Sequence, residues 1–140
     1  MQNLKNYLTQ GLKNTILFKN NSGVSHSGPW KQVIGTTLLD RWHIGDFSTV
    51  EYTISADYDM SNKEIIKALV TATKDRASVV VFSRNSTLTD IIDISVTVND
   101  SYVDLSVTPI INAEAQQNFT GAKVIYTGQY FHTLNPPVVW

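Results

Sequence analysis

Cysteine is absent from the 140 residues, which excludes thiolate zinc sites, iron–sulfur clusters, disulfide scaffolds and cysteine nucleophiles. Charge is sparse. Only 16% of the residues are Asp, Glu, Lys or Arg, and the formal net charge is -1. A chain this close to neutral has no electrostatic basis for tight, sequence-independent binding of nucleic acid. No apolar run is long enough to span a bilayer as a helix. The opening Met1-Gln2-Asn3-Leu4-Lys5 lacks the apolar stretch and small-residue cleavage site of a secretory signal, so synthesis without export is expected. Histidine is scarce too: His26, His43 and His132 stand at no metal-ligand spacing. No nucleophile elbow or glycine-rich oxyanion motif accompanies them.

What is present reads as strand. Hydrophobic residues make up 42%, enough for one domain to build its own core. Val50, Tyr52, Ile54 and Ala56 alternate with Glu51, Thr53, Ser55 and Asp57, the period-2 pattern of a half-buried strand. Residues 65–73 carry Ile66, Ala68 and Val70 on one strand face, and their β-branched neighbours favour strand over a helical start at Lys63. Val79-Val80-Val81-Phe82 is apolar on both faces, as an interior or interface strand would be. Ile92, Ile94, Val96 and Val98 alternate with polar residues, as do Val103, Leu105 and Val107, with a tight Asn99-Asp100 connection between. Asn and Asp tolerate the positive φ that such a hairpin demands. Residues 122–132 complete a last long strand after a polar loop at 110–120. Turns recurring about every ten residues are the mark of a sandwich or barrel.

The ends differ from this centre. Leu4, Leu8 and Leu12 share a helical face that Gly11 interrupts, and Ser27-Gly28-Pro29 breaks the chain before Trp30. Asn135-Pro136-Pro137 forbids regular structure, yet Val138-Val139-Trp140 is wholly apolar. The expectation is all-β: a single antiparallel β-sandwich, jelly-roll or immunoglobulin-like, over residues 46–134. An irregular docking arm at 1–45 precedes it and an apolar tail at 135–140 follows. Leu4, Leu8, Phe18, Trp30, Val138, Val139 and Trp140 are the expected contacts to partner proteins, because large apolar side chains are rarely left in water.

Chemistry is thin. Asp57-Tyr58-Asp59-Met60-Ser61-Asn62 offers oxygen ligands at alternating positions but lacks the glycine and distal acid of a calcium loop. No catalytic residue, metal or cofactor is expected. Tyr126 and Tyr130 share a strand face and read as core or subunit contact rather than a sugar platform.

Four segments carry a resemblance: Asp46-Phe47-Ser48-Thr49-Val50-Glu51-Tyr52, Lys63-Glu64-Ile65-Ile66-Lys67-Ala68-Leu69-Val70, Asp93-Ile94-Ser95-Val96-Thr97-Val98, and Gly121-Ala122-Lys123-Val124-Ile125-Tyr126 with Tyr130-Phe131-His132-Thr133. Across residues 46–134 the chain resembles small virion structural proteins of tailed phages, especially those of cyanobacterial myoviruses. The resemblance implies a virion component assembled in the host cytoplasm. Its expected role is a non-enzymatic tail subunit of neck, baseplate or fibre attachment. Its partners would be other virion proteins and copies of itself, not nucleic acid, membrane or a small molecule. The alternative is a capsid decoration protein or a host-receptor or glycan-binding module.

Overall fold

The structure is a computed structural model and describes residues 15–17, 22–110 and 121–134. Among the described residues ten strands run in chain order: β1 Thr15–Leu17, β2 Gly23–Ser27, β3 Lys31–Val33, β4 Thr37–His43, β5 Phe47–Asp57, β6 Lys63–Ala72, β7 Ala77–Ser86, β8 Ile92–Asn99, β9 Tyr102–Pro109 and β10 Ala122–His132. They form two antiparallel sheets. One is ordered β1-β2-β10-β5-β6-β7 with β3 also paired to β10, and the other is ordered β4-β9-β8.

The sandwich core follows from the alternation. Val50, Tyr52, Ile54 and Ala56 on β5, Ile66, Ala68 and Val70 on β6, and Val124, Tyr126 and Tyr130 on β10 are buried. They face Leu39 and Trp42 of β4, Ile92 and Ile94 of β8, and Val103, Leu105 and Val107 of β9 within one cluster. Val96 and Val98, further along β8, are half-buried rather than buried, because β8 is the margin of the smaller sheet.

Register is set by turns and bulges. The β8–β9 hairpin turns at Asp100 (φ 51°) and Ser101 (φ 67°), one residue later than the alternation placed it. Two successive positive φ values are the signature of the I′ turn whose twist suits a two-residue hairpin. Buried Glu64 ties the start of β6 to the start of β8. Its carboxylate accepts from Arg84 Nη1 (2.9 Å), Ser86 Oγ (2.8 Å) and the Ile91 and Ile92 amides (3.2 Å each). A buried carboxylate is tolerable only when paired and hydrogen-bonded in this way.

Two expectations are corrected. The arm expected at 1–45 is regular where it is described: β2 and β3 pair with β10, and β4 is the partner of β9. These strands are short and broken by Gly28 and Pro29, so their alternation is too brief to see without the long strands they pair with. The Val79–Phe82 run does not lie inside the sheet. It belongs to the edge strand β7, with Val80, Val81 and Phe82 exposed. The 57–62 segment is a self-satisfied turn, in which Asp59 Oδ1 accepts from the amides of Ser61 and Asn62 (2.8 Å each). Among the described residues no group of three His, Asp or Glu side chains gathers to hold a metal.

Candidate functional site

The site grows from a bulge in β4. Leu38 pairs with Ser106 and Asp40 with the next residue back, Leu105, so Leu39 is the extra residue. A bulge re-aims the side chains beside it. Leu39 is buried, Asp40 faces the other sheet, Arg41 turns outward and Trp42 turns in again. Asp40 thereby meets three tyrosines of the larger sheet, one from β5 and two from β10.

The contacts are short. Tyr52 and Tyr130 donate to Asp40 Oδ2 at 2.6 and 2.5 Å, and Tyr126 donates to Oδ1 at 3.0 Å. Trp42 Nε1 donates to the Tyr52 hydroxyl at 2.8 Å. One carboxylate thus clamps the two sheets together. Gly28 makes room for this arrangement, since a Cβ there would stand 2.3 Å from the Tyr126 ring. Burial first, and the neighbouring Asp40 charge in addition, push the Tyr52, Tyr126 and Tyr130 phenols well above their ordinary ionisation near pH 10. They stay neutral donors over any physiological range.

This clamp borders a cleft of about 320 Å³ lined by His26, Asp40, Trp42, Phe47 and Tyr130, with exposed Arg41 beside them. The aromatic groups touch one another: Phe47 and Tyr130 centroids are 5.2 Å apart, and His26 lies 6.1 Å from Tyr130. Arg41 is already engaged by Asp104, Nε to Oδ1 at 2.6 Å and Nη2 to Oδ2 at 3.1 Å. The hydrogen bond and charge of Asp104 raise the Arg41 pKa further. Arg41 and Asp104 neutralise each other, and Asp40 makes no ion pair among the described residues. A carboxylate has about four lone-pair directions. Among the described residues three are taken by phenols, which leaves one.

The sequence reading placed no site here. Tyr126 and Tyr130 are core residues, as expected, but their hydroxyls converge on a residue that fell within the expected arm. A signal was present: three tyrosines on inward strand positions need a buried acceptor. Of the expected interface residues, Trp30 is described and is 58% exposed, beside Lys123. Leu4, Leu8, Phe18, Val138, Val139 and Trp140 lie outside the described residues. His43 accepts from the Gly45 amide at 2.9 Å, and His132 packs on Phe47.

No protein-family model and no curated protein matches the sequence. Among solved structures the chain is similar to phage tailspikes. With the tailspike of Acinetobacter phage vB_ApiP_P1 it shares 12% identity at a TM-score of 0.47, over 79% of this chain and 21% of that one. With the tailspike of Acinetobacter baumannii phage AM24 the values are 9% and 0.46, over 81% and 27%. With the tailspike of Acinetobacter baumannii bacteriophage Fri1, a capsular polysaccharide depolymerase, they are 15% and 0.42, over 91% and 21%. The chain therefore spans only about a fifth to a quarter of the length of these proteins. They are not cyanophage proteins. The expectation of a chain without enzymatic activity is corrected here, because a similar chain is a depolymerase.

Proposed function

We propose that this chain is a saccharide-binding β-sandwich of a tailed-phage virion, joined to the tail, which holds sugar in the Asp40 cleft. The virion placement is supported by the segments of residues 46–134 that resemble virion proteins. The ligand class is carried by one observation: a carboxylate fixed by three tyrosine hydroxyls at a cleft walled by aromatic rings. A pyranose presents hydroxyl donors at its edge and apolar C–H faces on its ring, and these match one acceptor and several aromatic planes. The phenols hold the carboxylate in place before a ligand arrives, so little freedom is lost on binding. A neutral or amino sugar suits the site better than an acidic one, since Asp40 would repel a second carboxylate. The terminal residues Leu4, Leu8, Phe18, Val138, Val139 and Trp140 serve the tail attachment, docking on neighbouring virion proteins.

Calorimetric titration of the full chain with host surface polysaccharide, cut to oligosaccharides, tests the reading. Reducing-end release is followed alongside, so that cleavage is detected if it accompanies binding. Asp40→Asn is expected to weaken binding about tenfold or more through loss of a charge-assisted hydrogen bond, while the protein still melts cooperatively. Unchanged binding by Asp40→Asn, or binding of no oligosaccharide at all, refutes the assignment.

A further inference from the structure

A second surface differs from the Asp40 cleft in place and in charge. Ser27 pairs with Thr127 and Lys31 with Val124, so Gly28, Pro29 and Trp30 stand opposite only Ile125 and Tyr126. The extra residue makes a bulge, and Pro29 has no amide hydrogen to give the ladder. Trp30 is turned outward and left more than half exposed. Tryptophans are highly buried on average, so an indole serving only to stabilise the sheet would be covered.

Polar groups surround this indole in a shallow cleft of about 290 Å³ lined by Trp30, Ser55, Asp57, Lys123 and Ile125. The Lys123 ammonium lies 5.3 Å from the Trp30 ring centroid. Asp57 is paired with Lys63 at 3.2 Å, whereas Lys123 makes no ion pair among the described residues. Among the described residues the local sum is one uncompensated positive charge, held over one face of a half-exposed indole whose other face can take a ligand, with the Ser55 hydroxyl and Asp57 carboxylate as further hydrogen-bonding groups.

We propose that Trp30 and Lys123 form a second saccharide site, selective for an acidic sugar of the uronate class. The pyranose ring lies on the indole, its carboxylate meets the Lys123 ammonium, and Ser55 and Asp57 take ring hydroxyls. A nucleic acid could also stack on the indole. It is disfavoured by the single unpaired cation, by Asp57 within the same cleft, and by a chain with net charge -1. The proposal stands on the exposed indole and the unpaired ammonium, and it survives or fails independently of the Asp40 cleft.

The test titrates the full chain with tetramers of glucuronate, galacturonate and mannuronate, with their carboxyl-reduced counterparts, and with a thymidine oligonucleotide. Tryptophan emission and calorimetry are the readouts. At least one oligouronate is expected to bind, with its reduced counterpart about tenfold weaker, the share of a charge-assisted hydrogen bond. Lys123→Gln should weaken the uronate by a similar factor and leave the reduced sugar unchanged. Trp30→Ala should weaken both, and Asp40→Asn neither. Both altered side chains are exposed, so the fold is retained. Failure of all three oligouronates to bind overturns the proposal. So does equal binding of the reduced sugars, a Lys123→Gln variant that binds as before, or tighter binding of the oligonucleotide.

Discussion

Replacing Asp40 by alanine removes the acceptor of three hydroxyl groups at once, and the structure allows the cost to be worked out. A buried donor left without a partner costs about 1–3 kcal/mol, so three would approach the stability of a small domain. Water entering the adjoining cleft can take over part of the loss, since Asp40 is only half-buried. The expected penalty is about 2–4 kcal/mol, or a fall in melting temperature of about 5–12 °C for a chain of this length. Asp40→Asn keeps one acceptor oxygen and should lose about half as much. The sharper test is a double-mutant cycle. Tyr130→Phe in the native chain should cost about 1–2 kcal/mol, but in the Asp40→Ala background it should cost nothing or restore stability, because it removes an orphaned hydroxyl. Thermal and denaturant melts of the four proteins provide the comparison. Additive penalties would refute the clamp as the bond between the sheets.

Alkaline unfolding should be steep. In the unfolded chain Tyr52, Tyr126 and Tyr130 ionise near pH 10, whereas the folded protein keeps their protons. The unfolded state then binds fewer protons, so stability falls as pH rises above 10, approaching about 4 kcal/mol per pH unit for three groups. Phenolate absorbance from these residues should appear together with loss of near-ultraviolet dichroism, and its appearance within the native state would contradict their burial. Glu64→Ala should cost about 3–5 kcal/mol in urea denaturation, because Arg84 and two backbone amides lose their shared acceptor. In the β8–β9 hairpin, replacing Asp100-Ser101 by Asn-Gly should raise stability by about 0.5–1 kcal/mol, since glycine adopts the positive φ of Ser101 without strain. A melting temperature that falls instead would show that the wild-type turn side chains hold the loop.

The alternating segments of β5, β8, β9 and β10 were legible in the sequence because each is long enough to repeat its period several times. Whichever way such a strand pairs, Val50, Tyr52 and Ile54 must share one face, and that face must be covered. Residues 65–73 read as strand for the same reason, and β6 starts earlier, at Lys63, where a helical start was the alternative. β2 and β3 gave no such signal, and for β4 the stretch 33–39 offered a possible strand without a repeated period. They are short, interrupted at Gly28 and Pro29, and bulged at Leu39, and their strand character comes from β10 and β9 supplying hydrogen-bond partners distant in sequence. The edge position of β7 was likewise invisible, since an apolar run looks alike whether a neighbour covers it or not.

The candidate site divides along the same line. Sequence alone put Tyr52 on the inward face of a strand and Tyr126 and Tyr130 together on one face, as core or subunit contact, and burial of a phenol carries with it the demand for an acceptor. Which residue answers was decided only by the tertiary structure. One extra residue in β4 rotates Asp40 toward β5 and β10, 12 to 90 positions away along the chain. A local pattern records which way a side chain faces, but not what stands opposite it once two sheets have closed.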